Sequence, residues 1–384
     1  MPSEPNARQV ALDALLRIEA DRSYANLALG PILERSRLDR RDRGFVTDLV
    51  YGTIRMQRRM DHLVDRFLVS DPPPEARMAL RLGAYQLDVL ATPPHAAIGE
   101  TVEVTPKRYR GLVNAVLRKV STGGTPTTWP SEAVRLSYPD WIVDRFVDEL
   151  GAVDALAALD HMNQPPAVTT RDDGYIQDRA SQWVADLVGG VDGELVADLC
   201  AAPGGKATAI AAGGAHVVAV DSSLSRIGLV ADNVAKLELP VDVVAADALH
   251  PPWRPRSFDR VLLDAPCSGL GVLHRRPDAR WRVESGDIDR LASLQRRMLS
   301  AAAELVRPGG VLVYSVCTLL RSETVGVAEA LESLMVERGE GPVLEPLERP
   351  GGPWSDRGIG SILLPQRAET DGMYLARWRV GSGR

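Results

Sequence analysis

Two stretches of this sequence join residues that could do covalent chemistry to the strands that would hold them. One is Val261-Leu262-Leu263-Asp264-Ala265-Pro266-Cys267-Ser268-Gly269, the other Val311-Leu312-Val313-Tyr314-Ser315-Val316-Cys317. Each opens as an apolar, β-branched-rich run, the pattern of a strand buried on both faces. Each closes on a cysteine. Ligands of βαβ proteins sit at the carboxyl ends of the strands, so the two thiols are expected to face one crevice. A thiolate is the strongest nucleophile among ordinary side chains near neutral pH. The expected chemistry is therefore nucleophilic attack by one of them. The chain has three cysteines, Cys200, Cys267 and Cys317. An odd, small number without a CxxC pair argues against a disulfide framework or a zinc site. Taken singly, each also reads as a small buried hydrophobe.

A second constellation follows an earlier predicted strand: Asp198-Leu199-Cys200-Ala201-Ala202-Pro203-Gly204-Gly205-Lys206-Ala207. Small residues let the backbone approach a ligand, and the start of the next helix offers free N–H groups. A P-loop needs a glycine five positions before Gly205 and a Ser or Thr after Lys206. Cys200 and Ala207 stand near those places, and GxGxxG is missing too, so a nucleotide-like ligand without a pyrophosphate fits better. The next strand ends on Asp221, where a carboxylate can accept both hydroxyls of a ribose. The third ends at Ala246-Asp247-Ala248, where Asp247 can accept from an adenine amino group. Acids at successive strand ends beside a glycine turn suggest S-adenosylmethionine, although a single such Asp can simply cap a helix.

These residues need a sheet to position them. Strands are expected at Leu195–Leu199, His216–Val220, Val241–Ala245, Arg260–Leu263, Val311–Ser315 and Met373–Val380. Helical stretches fall at Lys206–Ala212, Ser223–Leu237, Ile288–Val306 and Glu323–Arg338. That alternation predicts a mostly parallel, doubly wound sheet. Residues 7 to about 120 read instead as helical, with one uninterrupted helix expected from Asp42 to Leu68 and stopped by Asp71-Pro72-Pro73-Pro74. The Gly-, Pro-, Ser- and Thr-rich stretch Ser121–Pro130 reads as a linker.

The chain's 384 residues predict two or three domains. It is 45% hydrophobic and 25% charged, as in a globular protein, and no apolar run reaches membrane-spanning length. Met1-Pro2-Ser3-Glu4-Pro5-Asn6-Ala7-Arg8 lacks an apolar signal core, so a cytoplasmic location is expected. A net charge of −6 does not advertise nucleic-acid binding. Basic residues are nonetheless clustered: Arg35, Arg37, Arg40, Arg41 and Arg43; Arg55, Arg58 and Arg59; Lys107, Arg108 and Arg110; and Arg275, Arg276, Arg280 and Arg282. Such clusters can hold phosphates, or merely solvate a helix face.

The runs Asp198–Lys206, Asp264–Gly269 and Tyr314–Thr318 resemble the RNA (cytosine-5) methyltransferases, and within them the RsmB (Sun/Fmu) family that acts on 16S ribosomal RNA. Leu49–Arg55, Leu80–Leu87 and Val113–Arg118 are similar to that family's NusB-like helical RNA-binding domain, and Asp371–Arg377 to its last core strand. The resemblance implies an N-terminal all-α NusB-like bundle and a C-terminal α/β doubly wound, Rossmann-like class I methyltransferase domain. The expected domains are 1–125 (NusB-like), 126–190 (a helical linker, remnant of an RNA-binding subdomain) and 191–384 (methyltransferase). It also implies that Cys200, Ala201, Ala202, Pro203, Gly204, Gly205, Lys206, Asp221, Asp247 and Asp264 contact S-adenosylmethionine or its surroundings. Cys317 would be the nucleophile toward a cytosine ring, Cys267 would assist product release, and Asp264 would hold the base's polar edge. Lys206 would orient Asp264 or tune a nearby thiol. The implied partner is RNA, either 16S rRNA or a ribosome assembly intermediate; a monomer without metal is expected.

The sequence departs from the family in three places. Val316 precedes Cys317 where Thr is usual, and Ser322-Glu323-Thr324 replaces a Glu-Asn-Glu-like stretch. Between Thr170 and Gln177 the family's small α/β subdomain is reduced to Arg171-Asp172-Asp173-Gly174-Tyr175-Ile176. The alternatives are another RNA as substrate, a DNA cytosine-5 methyltransferase using the Pro266-Cys267 thiol, or a non-catalytic RNA-binding relative. The helical half and the second cysteine argue against the DNA enzyme, and the retained acids and thiols against the non-catalytic one.

Overall fold

A computed structural model of the chain describes residues 6–338 and 343–381, so residues 1–5 of the N-terminal stretch lie outside it. The chain forms two compact units. One comprises Met1–Asp144 with Leu273–Arg282, the other Arg145–Val272 with Val283–Arg384. This division differs from the boundaries at 125 and 190. Residues 126–144 belong with the helical unit, 145–190 belong with the sheet unit, and a segment from within the C-terminal half returns to the helices.

The helical unit holds α1 (Ala7–Ala20), α2 (Ala25–Arg35), α3 (Arg40–Arg55), α4 (Gln57–Asp65), α5 (Pro74–Asp88), α6 (Pro94–Val104), α7 (Arg110–Gly123) and α8 (Glu132–Leu136). The expected helix from Asp42 to Leu68 is two. It bends at Met56, which leaves helical geometry (φ −97°, ψ 13°) while its N–H still reaches Gly52 O at 2.9 Å. The bend contains neither Gly nor Pro, and the apolar spacing continues through it, so local sequence carries no mark of it. The motif glycine Gly52 has a packing cause. A Cβ there would lie 2.0 Å from the Tyr85 ring of α5, whose Oη donates to Asp48 at 3.1 Å.

Several clustered arginines turn out to be internal fasteners of this unit. Arg55 is buried and donates to His274 O at 2.9 Å. Arg59 pairs with Asp88 at 2.7 Å and lies over the Trp129 ring. Arg280, expected among the phosphate holders, is fully buried. It donates to Arg55 O and Ser137 O, both at 3.1 Å, and its guanidinium lies 3.9 Å from the centre of the Tyr138 ring. Burial lowers its pKa to about 10. Arg282 donates to Arg22 O and covers Tyr24. Arg280 and Arg282 thus hold Leu273–Arg282 against the helices; the burial of Arg280 corrects its expected role, while Arg282 stays exposed. Arg35, Arg37, Arg40, Arg41 and Lys107 do stay exposed.

Helix α9 (Asp140–Leu150) contains the division between the units. The sheet unit continues with α10 (Ala152–His161), α11 (Arg179–Val188), β1 (Leu195–Asp198), α12 (Gly205–Ala212), β2 (His216–Asp221), α13 (Leu224–Leu237), β3 (Val241–Ala245), β4 (Phe258–Asp264), α14 (Ser285–Leu305), β5 (Val306–Val316) and α15 (Val325–Arg338). It closes with β6 (Leu344–Pro346), β7 (Ser355–Arg357), β8 (Gly360–Leu363), α16 (Pro365–Ala368) and β9 (Met373–Val380). Strand order is β3-β2-β1-β4-β5-β9-β8-β7, with β6 also on β9. β1 to β5 pair in parallel; β9 enters antiparallel, with Val316 opposite Tyr374. The expected strands are present. β6, β7 and β8 were not legible, because they are short, contain Pro, Gly or charge, and owe their extended form to β9 and to each other. One apolar layer, with Met298, Leu299, Val325 and Leu331, packs α14 and α15 on one face of the sheet. Another, with Val184, Ile210, Ile227 and Val230, packs α11 to α13 on the other. No helix among the described residues is long and apolar enough to cross a membrane.

Candidate active site

Strand order reverses between β1 and β4, and the crevice at the carboxyl ends of such neighbouring strands is where doubly wound sheets bind ligands. Asp198 ends β1, Asp264 ends β4, and Cys317 follows directly on β5. Past β1 the backbone turns through a cis Ala202–Pro203 peptide and Gly204 at φ +108° into α12. The left-handed value at Gly204 suits a residue without Cβ. The turn leans on β2 through Ala201 N–H to Val220 O at 2.8 Å.

Below this turn lies a cavity of about 160 Å³ lined by Cys200–Pro203, Gly205, Lys206, Asp198 and Asp264, closed on one side by Tyr175–Gln177 and Ser181. Most residues of the expected cofactor turn therefore meet around one space. Gly204, Asp221 and Asp247 do not line it. Asp221, at the end of β2, accepts from Ser223 N at 3.0 Å and faces Arg226 at 3.3 Å, which leaves lone pairs for a further donor. Asp247 is exposed and caps its own turn. The Leu249 N–H, first, and then His250 hold its carboxyl below the usual range.

Lys206 is committed to Asp264, its Nζ 2.7 Å from Oδ2. Burial pulls the ammonium pKa down, but the charge and hydrogen bond of Asp264 outweigh this and raise it. Asp198 ends β1, and its type and position in the sequence carry no sign of a task. It is 1% exposed, and neither carboxylate oxygen has a hydrogen-bond partner among the described residues. Burial, reinforced by the charge of Asp264 and opposed by Lys206 and, weakly, by the Cys200 N–H, pushes its pKa up to about 7. A buried carboxyl so poorly supplied with donors is costly unless a ligand supplies them. S-adenosylmethionine carries an ammonium at its amino-acid end, so the donor set fits that group. Burial, then the neighbouring carboxylates, keeps the Cys200 thiol well above its ordinary pKa and so protonated.

The other two thiols converge. Cys267 Sγ and Cys317 Sγ are 3.3 Å apart, both half-buried and in no disulfide. The hydrogen bond to Cys317, then burial, raises the Cys267 pKa well above normal. The Cys267 loop is fastened at two points. Gly271 N–H donates to Cys317 O at 2.9 Å, and Gly372 N–H donates to Gly271 O at 2.8 Å. Glu323, also buried, accepts from Ser268 N at 2.9 Å, Ser268 Oγ at 2.6 Å and Gln295 Nε2 at 3.1 Å. Gln295 also donates to Pro266 O at 2.9 Å. Burial raises the Glu323 pKa despite these bonds. Gln295 lies on α14, where helical spacing alone makes it look like one polar residue among many. Among the described residues no cluster of His, Cys, Asp or Glu is placed to hold a metal ion.

A parallel sheet that reverses beside a glycine turn, with a buried carboxyl beneath that turn, is the construction of an S-adenosylmethionine-dependent methyltransferase. Comparison with known proteins narrows this. Residues 187–379 match the 16S rRNA methyltransferase RsmB/F family and residues 5–122 the NusB family. Ribosomal RNA small subunit methyltransferase B of Thermus thermophilus is 36% identical over 402 residues, covering 96% of this chain and 97% of that one. Rv1407 of Mycobacterium tuberculosis, named as a methyltransferase, is 35% identical over 453 residues, covering 98% and 97%. That alignment is longer than the 384 residues of this chain, so the relative carries residues this chain lacks. The crystal structure of PH0851 shares the fold at a TM-score of 0.77 with 20% identity, over 97% of this chain and 99% of its own. The chain belongs to the 16S rRNA methyltransferase RsmB/F family.

Proposed function

We propose that this enzyme methylates C5 of a cytosine in RNA, with 16S rRNA the substrate, through a covalent bond between Cys317 Sγ and C6 of the base. The observation that carries this is the 3.3 Å approach of two thiols from neighbouring strand ends. C5 of cytosine is a poor nucleophile. Adding a thiolate to C6 breaks the C5–C6 π bond and places its electron pair on C5. Bound S-adenosylmethionine supplies an electrophilic methyl group. In this proposal Asp264, fixed by Lys206, holds the polar edge of the base and stabilises the adduct. Removal of the C5 proton then re-forms the double bond and expels the Cys317 thiolate; Cys267 assists this release. The base must leave its stack to offer C5 and C6.

In this reading the cofactor residues are Cys200 to Lys206, with Asp221 at the ribose, Asp247 toward the adenine, and Asp198 beneath the ammonium. The NusB-like residues serve RNA binding, and the work is cytoplasmic, where ribosomal RNA is found. Cys317→Ala is expected to abolish transfer of labelled methyl groups to RNA. Cys267→Ala is expected to accumulate a protein–RNA adduct that resists denaturant. An adduct formed by Cys317→Ala instead would reverse the two roles. Bisulfite mapping of ribosomal RNA with and without the gene identifies the base; no lost site in 16S rRNA would exclude that substrate.

A further inference from the structure

The connection Thr170–Gln177 is where the resemblance to the family implies a lost subdomain, and it does more than span a gap. Thr170 bridges Ile176, and Arg171 N–H donates to Tyr175 O at 2.9 Å, so the segment is a closed turn. The Arg171 guanidinium reaches into the first turn of α12, donating from Nη1 to Gly205 O at 2.8 Å and Thr208 Oγ1 at 3.2 Å. It lies over the Tyr175 ring, pairs with Asp173, and donates to Gln177 Oε1 at 3.1 Å. A guanidinium has donors only. It therefore fixes the amide with Oε1 toward Arg171 and Nε2, with its two N–H donors, on the other side. Gln177 is 7% exposed and lines the cavity, and Nε2 makes no hydrogen bond among the described residues. A Cβ at Gly205 would lie 3.2 Å from that nitrogen, so it sits at the glycine turn itself.

The cavity needs such a donor. At about 160 Å³ it is below the ~300–1,000 Å³ of pockets that enclose a whole drug-sized ligand, so it suits one end of the cofactor. An amino-acid end is a zwitterion. Asp198 meets its ammonium; Lys206 gives one of its three N–H donors to Asp264, and the Gln177 amide adds a neutral donor on the cavity wall. We propose that Gln177 Nε2 donates to the carboxylate of S-adenosylmethionine, and that Arg171 is a positioning residue that sets the amide. The shortened connection thereby builds a wall of the cofactor site from its own residues. The proposal rests on the cofactor and on the task given to Asp198, not on which base is methylated.

Calorimetry on the full chain tests it with two probes, S-adenosylhomocysteine, which has the amino-acid end, and 5′-methylthioadenosine, which lacks it. Gln177→Leu is expected to weaken S-adenosylhomocysteine ~10- to 100-fold, the worth of a hydrogen bond to a charged group, and to leave 5′-methylthioadenosine within about twofold. Gln177→Glu, similar in size but opposed in charge to the donor needed, is expected to weaken the first probe at least as much. Arg171→Met frees the amide to rotate and is expected to cost several-fold on the same probe only. If Gln177→Leu does not fold by circular dichroism, Gln177→Glu and Arg171→Met carry the test. Equal losses on both probes would make Gln177 a packing wall and overturn the proposal, as would no loss on either. If Asp198→Asn leaves S-adenosylhomocysteine unaffected while Gln177→Leu weakens it, the fault lies with the ammonium assignment alone.

Discussion

At the residue scale the most informative group is Asp198, because its placement costs stability. Its folded pKa of about 7, against an ordinary 3.8, means the folded chain holds a proton that the unfolded chain gives up. The folded state binds more protons between about pH 4 and 7, so stability is highest below that window and falls as pH rises through it. At ~1.4 kcal/mol per pKa unit, ionising the buried carboxyl forfeits on the order of 4 kcal/mol by pH 8. Asp198→Asn cannot ionise. Its stability advantage over the parent in urea unfolding, without cofactor, is expected to widen by ~3 kcal/mol from pH 5 to pH 8, while its affinity for S-adenosylhomocysteine falls. A constant gap between the two proteins across that range would mean that the carboxyl is not the group titrating. A stability loss kept in exchange for a ligand contact is characteristic of a binding site. The thiols follow the same logic. The hydrogen bond to Cys317, then burial, raises the pKa of Cys267 above its ordinary value, which its place in the sequence does not show.

At the element scale, the strand ends are arranged by loops as much as by the sheet. The loop after β4 must bring Cys267 beside Cys317, and it does so by passing its backbone against the end of β5. Gly271 is the point of contact: a Cβ there would lie 2.1 Å from Gly372 O and 3.0 Å from Cys317 O. Those atoms are backbone and cannot rotate away. Gly271→Ala is expected to cost ~1–3 kcal/mol and to move Cys267 away from Cys317. The check is to combine it with Cys267→Ala and measure the RNA adduct, which should fall well below that of Cys267→Ala alone. An undiminished adduct would show that the loop can shift without disturbing Cys317. The paired runs ending in Cys267 and Cys317 were legible because they are long, apolar and β-branched. Gln295 and Glu323, which grip the same loop, were not legible as a pair. They lie on separate elements, and only their burial against each other shows that they act together.

At the scale of the whole molecule, the two units are not two consecutive stretches of chain. Leu273–Arg282 sits in the middle of the sheet unit's sequence but packs with the helical one, and buried Arg280 finds its carbonyl acceptors at Arg55 and Ser137 there. A fragment of residues 145–384 keeps that segment and loses its packing. It is expected to melt below the corresponding transition of the full chain, by roughly 2–4 °C per kcal/mol lost, and to aggregate more readily. A fragment with unchanged melting and unchanged S-adenosylhomocysteine affinity would show the sheet unit to be self-sufficient. The arginine run that looked like a phosphate-binding patch is thus in large part a fastening inside a unit. Charge clustering along a sequence does not report burial, and only packing separates the two uses.

Periodicity and local chemistry in the sequence determined the helical first half, the alternating second half, the glycine turn, and the cysteines at strand ends. Each of these is a short-range property: side-chain repeat, turn residues, apolar run length. The tertiary structure alone decided which distant groups share a space. It buried Asp198 and paired Lys206 with Asp264. It brought Cys267 and Cys317 together, turned the Gln177 amide toward the glycine turn, and folded Arg280 inside. These outcomes depend on desolvation and on contacts between residues far apart in the chain, which no window of sequence contains.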